Sequence, residues 1–455
     1  MSIYGERYGL WWLPSFPEKK VKGRLSWSRE QGGRLQLQTA FSDPAISELE
    51  RVPIRPYTTE IILGDLEAGQ QCTLVKNTAN MLGDKPRFHS LYLLEGARFH
   101  NILDLRASGA SFRMRHLEEW TGQTPLNHDE EALKNPFQIR LKQVTSPFKP
   151  LHLVDSDISK PGRAKMSVAV TYNPAFGFRR FMFEQICRIL VEVNEEPFAF
   201  DELLMLIRDC SNLFTLLMAE DAGVFDIWFW LKDRDAPTRK VRLLYPGLRG
   251  PAKSEIHPSD MLLSLPGLKD ASMVLSNWMN QGPTLRRTAN WLTLNTRIKG
   301  WAEIEFLSYV QAAETLHRVL KPQGKFVSDS DYSRVEAALI SAIPLGTNND
   351  LKQKIRQMLV YGNEVSLRRR LRELMKIFFP TIPDSHKKWI ERIVDTRNYF
   401  IHNDPESAPK AASGQELFNL CDGLRGLVTA ALLHSVGVPS NTVLVATANH
   451  GWIIR

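Results

Sequence analysis

The sequence is poor in cysteine, and its few cysteines are widely separated. Among 455 residues there are four, Cys72, Cys187, Cys210 and Cys421. They form no CxxC pair and do not alternate with histidine at the spacing of metal ligands, which argues against a disulfide framework and a zinc ribbon. We therefore expect free thiols and a reducing, cytoplasmic environment.

Long apolar runs are also missing. The first residues, MSIYGERYGLWWLP, contain no basic stretch followed by a long apolar segment, which a secretory signal requires. The longest uncharged apolar segments stay well below the roughly 20 residues that span a bilayer. The sequence thus predicts neither export nor a membrane partner.

Several common catalytic motifs are absent. The sequence contains no GxxxxGK[ST] loop, no HExxH and no GxSxG, which removes the usual phosphate-loop, zinc-protease and esterase classes. His100, His116 and His128 lack the spacing of metal ligands. We predict no metal site and no cofactor.

The overall composition is that of a globular protein with a basic surface. Hydrophobic residues make up 43% and charged residues 24% of the chain, and its length favours two or three domains. A formal net charge of +8 and a pI near 9.2 favour anionic partners, of which nucleic acid is the commonest. A solvated basic surface with no such partner is the alternative.

Alternation of apolar and polar residues dominates up to about residue 175 and predicts strands. A helix at 200–218 and two further strands at 224–233 and 240–246 follow. We predict an α+β protein whose N-terminal domain, residues 1–285, holds a β-sandwich-like or barrel-like sheet with appended helices and a subdomain break near 175. The predicted early strands are residues 23–28, 34–41, 59–66, 71–77, 90–96, 137–144 and 165–173.

The pattern becomes helical after a segment at 280–302 that has turn residues and no clear period. We place the main boundary there and predict an all-α bundle over 303–440. Its last helix runs from Leu417 to His434, and residues 441–455 form an extension, either a short strand or an ordered tail. Two apolar stripes support the helices: Phe306, Val310, Ala313, Leu316 and Leu320, then Leu367, Leu371, Leu374 and Phe378.

The most informative segment is DSHKKWIERIVDTRNYFIHNDPES, residues 384–407. Asp384 or Ser385 can cap a helix there, and Asp404-Pro405 should end it. On a helical wheel, Arg397 lies within roughly 60° of every member of an apolar stripe. That stripe comprises Ile390, Ile393, Val394, Phe400 and Ile401.

A guanidinium in an apolar stripe needs a partner, because it cannot lose its proton to escape burial. One interpretation pairs Arg397 with an internal carboxylate, Glu314 or Asp395. The other reserves it for a phosphate. Asn398 and His402 are four residues apart on one flank of the same helix and would share that phosphate with it.

His402 lies in the final turn of the predicted helix. The negative end of the helix dipole favours its protonated form, and Asp395 would act in the same direction. This suits proton transfer near neutral pH. The alternative is a histidine that only caps backbone carbonyls.

The string RNYFIH resembles the Arg, polar residue, three residues, His motif of the HEPN superfamily of helical ribonucleases. WAEIEFLSYVQAAETLHRVL is similar to the first helix of the ApeA-like HEPN domain. GLWWLPSFPEKKVKGRLSW and the later EIILGDL resemble the start of the ApeA N-terminal domain, so the resemblance spans nearly the whole chain.

This resemblance implies an anti-phage defence protein that cleaves RNA, with transfer RNA as a candidate, in abortive infection. Arg397, Asn398 and His402 would be catalytic, without a metal, through attack by the ribose 2′-hydroxyl. HEPN domains usually pair about a two-fold axis, which implies a homodimer or higher oligomer. The N-terminal domain would sense a phage-derived trigger and restrain the nuclease.

Further residues are candidates for supporting roles. Asp395, Glu314 and His317 would line the site, although a packing role for His317 is the alternative. A basic cluster before the motif predicts an RNA-tracking surface, against the alternative of a solvated helix face. Its members are Arg368, Arg369, Arg370, Lys387 and Lys388. A non-catalytic HEPN module that binds nucleotides or RNA is the competing function.

Overall fold

The computed structural model divides the chain into two compact units, Met1–Asn280 and Gln281–Arg455. None of the helices in the part of the chain that the structure describes is long and apolar enough to cross a membrane. The predicted domain limits, 1–285, 303–440 and 441–455, remain predictions. The structure describes residues 2–41, 57–67, 69–82, 85–123, 151–158, 163–176, 181–232, 238–252, 254–298, 300–403 and 405–452.

The first unit is built on one antiparallel sheet of twelve strands with the order β3-β2-β1-β4-β5-β6-β14-β13-β8-β11-β10-β9, and β7 and β12 form a separate pair. The strands are β1 Ser2–Trp12, β2 Val21–Ser28, β3 Gly32–Leu37, β4 Tyr57–Leu66, β5 Gln71–Leu82, β6 Lys85–Glu95, β7 Arg106–Ala107, β8 Gly109–Met114, β9 Leu151–Ile158, β10 Ala164–Phe176, β11 Phe181–Val193, β12 Phe198–Ala199, β13 Val224–Leu231 and β14 Arg239–Leu244.

The first six strands close into a barrel because β3 also pairs with β6, with Leu35 opposite Phe88. Closure leaves no free edge among these strands. Trp11 and Trp27 fill the interior and are almost completely buried. Gly64 makes room for the Trp11 ring, since a Cβ there would lie 2.4 Å from its Cζ3 atom.

Helices cover the open half of the sheet. They are α1 Leu117–Thr121, α2 Phe200–Met218 and α3 Ala271–Met279. Ser276 of α3 donates a hydrogen bond to the carbonyl of Asp157 on β9 at 2.8 Å, and Trp278 donates one to the carbonyl of Asp209 on α2 at 2.9 Å. The first bond ties the last helix of the unit to the edge strand, and the second ties it to α2.

The second unit is all-helical. Its helices are α4 Pro283–Arg297, α5 Ala302–Leu320, α6 Asp329–Ser341, α7 Asn349–Val360, α8 Leu367–Met375, α9 Asp384–His402, α10 Gly414–Ser435 and α11 Ser440–Asn449. Helix α5 is central, with Phe306, Tyr309 and Leu316 fully buried. Helix α10 contributes Leu424, Leu427 and further apolar side chains to the same core.

The predicted fold class is confirmed: a strand-rich region precedes an all-helical region. The helix at 200–218 has the predicted limits, and the last predicted helix corresponds to α10. The predicted strand at 137–144 lies outside the described residues. All other predicted strands overlap β2, β3, β4, β5, β6, β10, β13 and β14.

The prediction of a turn region between residues 280 and 302 was wrong. Residues 283–297, expected to be a turn region, form α4, whose buried face contains Thr288 and Thr293 and so shows no apolar period. Each hydroxyl donates to the carbonyl four residues earlier, at 3.3 and 2.9 Å, which satisfies it inside the helix. For the tail the sequence left open a short strand or an ordered extension. The structure shows an ordered helix, α11, with Val443 and Thr447 buried on one face.

All four cysteines are free, as the sequence predicts, and all four are buried. Burial raises the pKa of Cys187 to about 12 and that of Cys421 to about 12. It also raises the pKa values of Cys72 and Cys210. Thiolates are therefore scarce at neutral pH.

Replacing Gly64 with alanine should strain the barrel interior. The added methyl group overlaps the Trp11 ring, and overpacking of this kind costs about 1–3 kcal/mol of unfolding free energy. Urea denaturation followed by tryptophan fluorescence measures the change. Gly267→Ala is the control, since the nearest side-chain atom to its added Cβ lies at 3.9 Å. Equal stability of the two variants would contradict the tight packing at Gly64.

Candidate active site

Helix α9 carries the Arg-Asn motif and packs through one narrow face. Trp389, Ile390, Ile393 and Thr396 are buried on that face. Near its end, the Phe400 ring meets Phe306 of α5 edge-on, with 5.7 Å between ring centroids. The helix is thus held against the core along its length.

The limits of α9 follow from its end residues. It begins after Pro383, which provides no side-chain cap, so the predicted capping by Asp384 or Ser385 is wrong. The Asp384 carboxylate instead accepts from Lys387 at 2.8 Å. The helix ends at His402, and the next residue, Asn403, caps it: its left-handed backbone (φ 48°) lets its N–H donate to the Tyr399 carbonyl at 2.7 Å. Asp404 of the predicted terminator lies outside the described residues.

Arg397 lies at the edge of the buried face and is half-exposed. Its predicted apolar stripe is buried at Ile390 and Ile393 but opens to solvent at Ile401, which is 49% exposed. The guanidinium Nη1 donates to Oδ1 of Asn398 at 3.2 Å. Within the described residues, which do not include Asp404, no carboxylate forms an ion pair with this guanidinium.

Asn398, His402 and Asp395 form an open polar strip beside the arginine. Their spacing of three to four residues places them on one flank of the helix. Asn398 and Asp395 are half-exposed, and His402 is exposed on the last turn, on the side away from the core. Arg397 and Asn398 are brought together by a hydrogen bond, whereas His402 has no hydrogen bond to either within the described residues.

The segment after α9 is folded back onto the helix by residues that the sequence analysis missed. Thr396 Oγ1 donates to the Arg392 carbonyl at 2.7 Å and accepts from the Ala412 N–H at 2.9 Å. Arg392 binds both carboxylate oxygens of Glu416 on α10, each at 2.6 Å. The only hint of this contact in the sequence was the four-residue spacing of Arg392 and Thr396, which places both side chains on one flank of α9.

His317 belongs to a different cluster, between α5 and α8. Its ring is completely buried, Nε2 donates to Oε2 of Glu373 at 2.7 Å, and Nδ1 accepts from Nη1 of Arg370 at 3.4 Å. This arrangement requires a neutral imidazole. Burial, with help from Arg370, lowers the pKa of His317 against the opposing effect of Glu373.

Neither His317 nor Glu314 reaches the end of α9 that carries His402. Phe400 contacts α5 at Phe306, and His317 lies about 16 Å further along the α5 axis. Glu314 lies on the same side as His317, and its charge opposes the lowering of the pKa of Arg370. The structure therefore brings both residues to the α8 side of the bundle and not to the motif.

Arg370 was predicted to contact RNA, but its side chain faces the interior. It is 4% exposed and donates to the Val365 carbonyl at 3.0 Å and to Glu364 at 2.9 Å. Burial and the charge of Arg318 lower the pKa of Arg370. With His317 it stabilises the α5–α8 contact, so we remove it from the RNA-tracking surface.

The other predicted RNA-binding residues are exposed. Arg368 binds Glu391 of α9 at 2.6 Å, and Arg369 binds Glu373 at 2.8 Å. Lys387 and Lys388 lie on the first turn of α9 and point to solvent. Because surface ion pairs exchange readily, these four side chains remain accessible to a phosphate.

The comparisons agree with this architecture. Residues 307–442 match the family model Apea-like HEPN, which makes the second unit a HEPN domain, typically a ribonuclease. Residues 6–278 match the model of ApeA N-terminal domain 1. The chain belongs to the ApeA family, since the two matches together cover nearly all of it. The comparisons with curated proteins and with solved structures gave no match.

Removal of the His317 imidazole should change how stability depends on pH. Because the pKa of His317 is lowered in the folded state, the unfolded chain binds a proton more readily as pH falls below about 6.5. The contribution of His317 to the unfolding free energy of the wild type should therefore decline below about pH 6.5 and stay constant above it. His317→Gln keeps an acceptor and a donor but does not titrate, so its decline should be smaller. Denaturation curves between pH 5 and 8, values chosen around the reference pKa, measure both slopes; equal slopes would contradict the neutral buried imidazole.

Loss of the Thr396 hydroxyl should loosen the segment after α9. Thr396→Val leaves the Ala412 N–H without its acceptor, which costs about 1–3 kcal/mol of unfolding free energy. Thr447→Val is the matched control, since within the described residues that buried hydroxyl donates to carbonyls of its own helix, at 2.9 and 3.1 Å, and accepts no hydrogen bond. Chemical denaturation should show a clearly larger loss for Thr396→Val. A loss no larger than that of the control would rule out the tether.

Proposed function

We propose that this protein is a metal-independent endoribonuclease whose helical domain cleaves RNA with Arg397, Asn398 and His402. The supporting observation is the half-exposed Arg397 guanidinium, which has no carboxylate partner among the described residues and is oriented by Asn398. A cation at the edge of an apolar face is best neutralised by an anionic ligand. The exposed His402 on the same helix end supplies a proton-transfer group within reach of that ligand.

The chemistry follows from these three side chains. The ribose 2′-oxygen attacks the adjacent phosphorus and loses its proton to a base, while the bond from phosphorus to the 5′-oxygen breaks and that oxygen gains a proton from an acid. The products are a 2′,3′-cyclic phosphate and a free 5′-hydroxyl. His402 performs proton transfer, and Arg397 stabilises the negative charge that develops on the non-bridging oxygens. Asn398 orients Arg397 through its Oδ1 and keeps its amide N–H groups for the substrate.

A second copy of the chain would complete this site. One imidazole cannot serve as base and acid in the same step, and His402 points away from the core of its own domain. If two copies paired about a two-fold axis with their motifs facing each other, the second copy would supply its His402 as the complementary acid or base. We therefore propose a homodimer or a higher homo-oligomer.

The biological role that we propose is anti-phage defence by abortive infection. Membership of the ApeA family supports it. The substrate would be cellular RNA, with transfer RNA as a candidate, and the strand-rich unit would restrain the nuclease until a phage-derived trigger arrives. Arg368, Arg369, Lys387 and Lys388 would guide the RNA backbone to the motif.

RNA cleavage in excess EDTA tests the proposal. Wild-type protein should cut total RNA, if necessary in an extract of phage-infected cells as the source of the trigger, and leave cyclic phosphate ends. His402→Ala should lower the rate by at least about 10²-fold because the proton-transfer group is lost. Arg397→Ala should act similarly through lost stabilisation of the transition state.

The control is His386→Gln, a histidine on the first turn of the same helix, far from the motif. Its cleavage rate should equal that of the wild type, with thermal melting confirming that all variants fold. Cleavage that needs a divalent metal and persists in His402→Ala would contradict the mechanism. Binding of RNA without cleavage under every condition would instead identify the non-catalytic module.

A further inference from the structure

Helices α6 and α7 and the segments beside them expose an unusual amount of apolar surface. We call residues 326–361 the α6–α7 hairpin. None of its residues is buried. Nine of its large apolar side chains are 45% to 97% exposed: Phe326, Val327, Val335, Leu339, Leu345, Leu351, Met358, Val360 and Tyr361.

The hairpin is nevertheless well formed. Ser328 caps α6 by accepting from the Asp331 N–H, and Asn348 caps α7 by accepting from two backbone N–H groups. At its base, Asn363 donates to the Val327 carbonyl and accepts from its N–H, both at 3.0 Å. Tyr332 Oη donates to the Leu359 carbonyl at 2.5 Å and links the two helices.

The two helices have capped ends but bury no side chains of their own, so a partner is needed to cover their apolar faces. The helices contain 13 and 12 residues, and helices of this length are marginal in water unless an apolar face is buried. Val335 and Leu339 form a stripe on α6, and Leu351, Ile355 and Met358 form one on α7. Exposed apolar side chains that share one face of a helix are typical of sites of protein association.

The charges of the two helices indicate which partner fits. Helix α6 carries three carboxylates and one arginine, a formal charge of −2, and α7 carries three basic side chains and one carboxylate, +2. Among the described residues, no acid of α6 pairs with α7: Asp329 binds Lys325, Asp331 binds Arg334, and Glu336 forms no ion pair. Within the described residues, Lys354 and Arg356 of α7 form no ion pair.

We infer that the α6–α7 hairpin is a self-association surface, on which a second copy of this chain packs with its α7 against α6 and its α6 against α7. An isologous two-fold contact requires a surface that is complementary to itself. Adjacent helices of equal and opposite charge, each with an apolar stripe, meet that requirement. This surface is separate from α9, so it does not depend on the proposed nuclease activity.

Charge reversal tests the arrangement. The first variant, Ser333→Lys with Glu336→Lys, makes α6 positive, so both helices repel their counterparts in a second copy. The second variant, Lys354→Glu with Arg356→Glu, makes α7 negative with the same effect. Each variant alone should dissociate about tenfold more readily than the wild type or lose one step of assembly. Sedimentation velocity over a range of concentrations measures both.

Mixing the two variants tests directly whether α6 of one copy packs against α7 of the other. In the mixed pair, the positive α6 of the first variant faces the negative α7 of the second. The positive α7 of the first likewise faces the negative α6 of the second. The mixture should therefore regain the wild-type mass. Native mass spectrometry with one variant mass-tagged should find both chains in one assembly. Lys269→Glu, an exposed charge reversal in the first unit, should sediment as the wild type, and circular dichroism should show unchanged helix content.

Three results would overturn the inference. The wild type could remain monomeric at every concentration, which would leave the hairpin to a partner of another kind. The variants could sediment as the wild type does. The mixture could fail to regain the wild-type mass. Because no RNA is present in these measurements, loss of self-association is distinguishable from loss of the proposed cleavage.

Discussion

The narrow buried face of α9 is the constraint on which the candidate site depends. Trp389, Ile393 and Thr396 fix the rotation of the helix about its axis, and the Phe400–Phe306 contact fixes its last turns. This rotation places Arg397 at the boundary between core and solvent and His402 on the open side. A rotation of α9 by one residue would either bury the guanidinium or turn it, together with Asn398, away from the boundary with the core.

Sequence patterns predicted eight of the fourteen strands in the described residues, because the sheet has an inner and an outer face. The other six, β1, β7, β8, β9, β11 and β12, were not predicted. In β2 the burial alternates strictly, with Val21, Leu25 and Trp27 inside. Closure of the barrel was not predictable, since the β3–β6 pairing joins residues about fifty positions apart and leaves no local signal. Helix α4 was missed for a different reason: threonine occupies buried positions where periodicity analysis expects apolar residues.

The candidate site was predictable only where its contacts are local. Arg397, Asn398 and His402 lie on one helix, and the helical period alone places them near each other. Arg370 could not be assigned correctly in the same way, because its burial depends on His317 of α5 and Glu364, which approach it through tertiary packing. A basic helix face and a buried arginine look the same in sequence until the neighbouring helices are known.

The inaccessibility of the four thiols has a practical consequence. With every native sulfhydryl shielded, a cysteine introduced at an exposed position would react with maleimide probes far faster than any of the original ones. A dye pair attached in this way would report on distances within the folded molecule with the wild-type background left in place. The same shielding gives the protein intrinsic resistance to peroxide and other thiol oxidants.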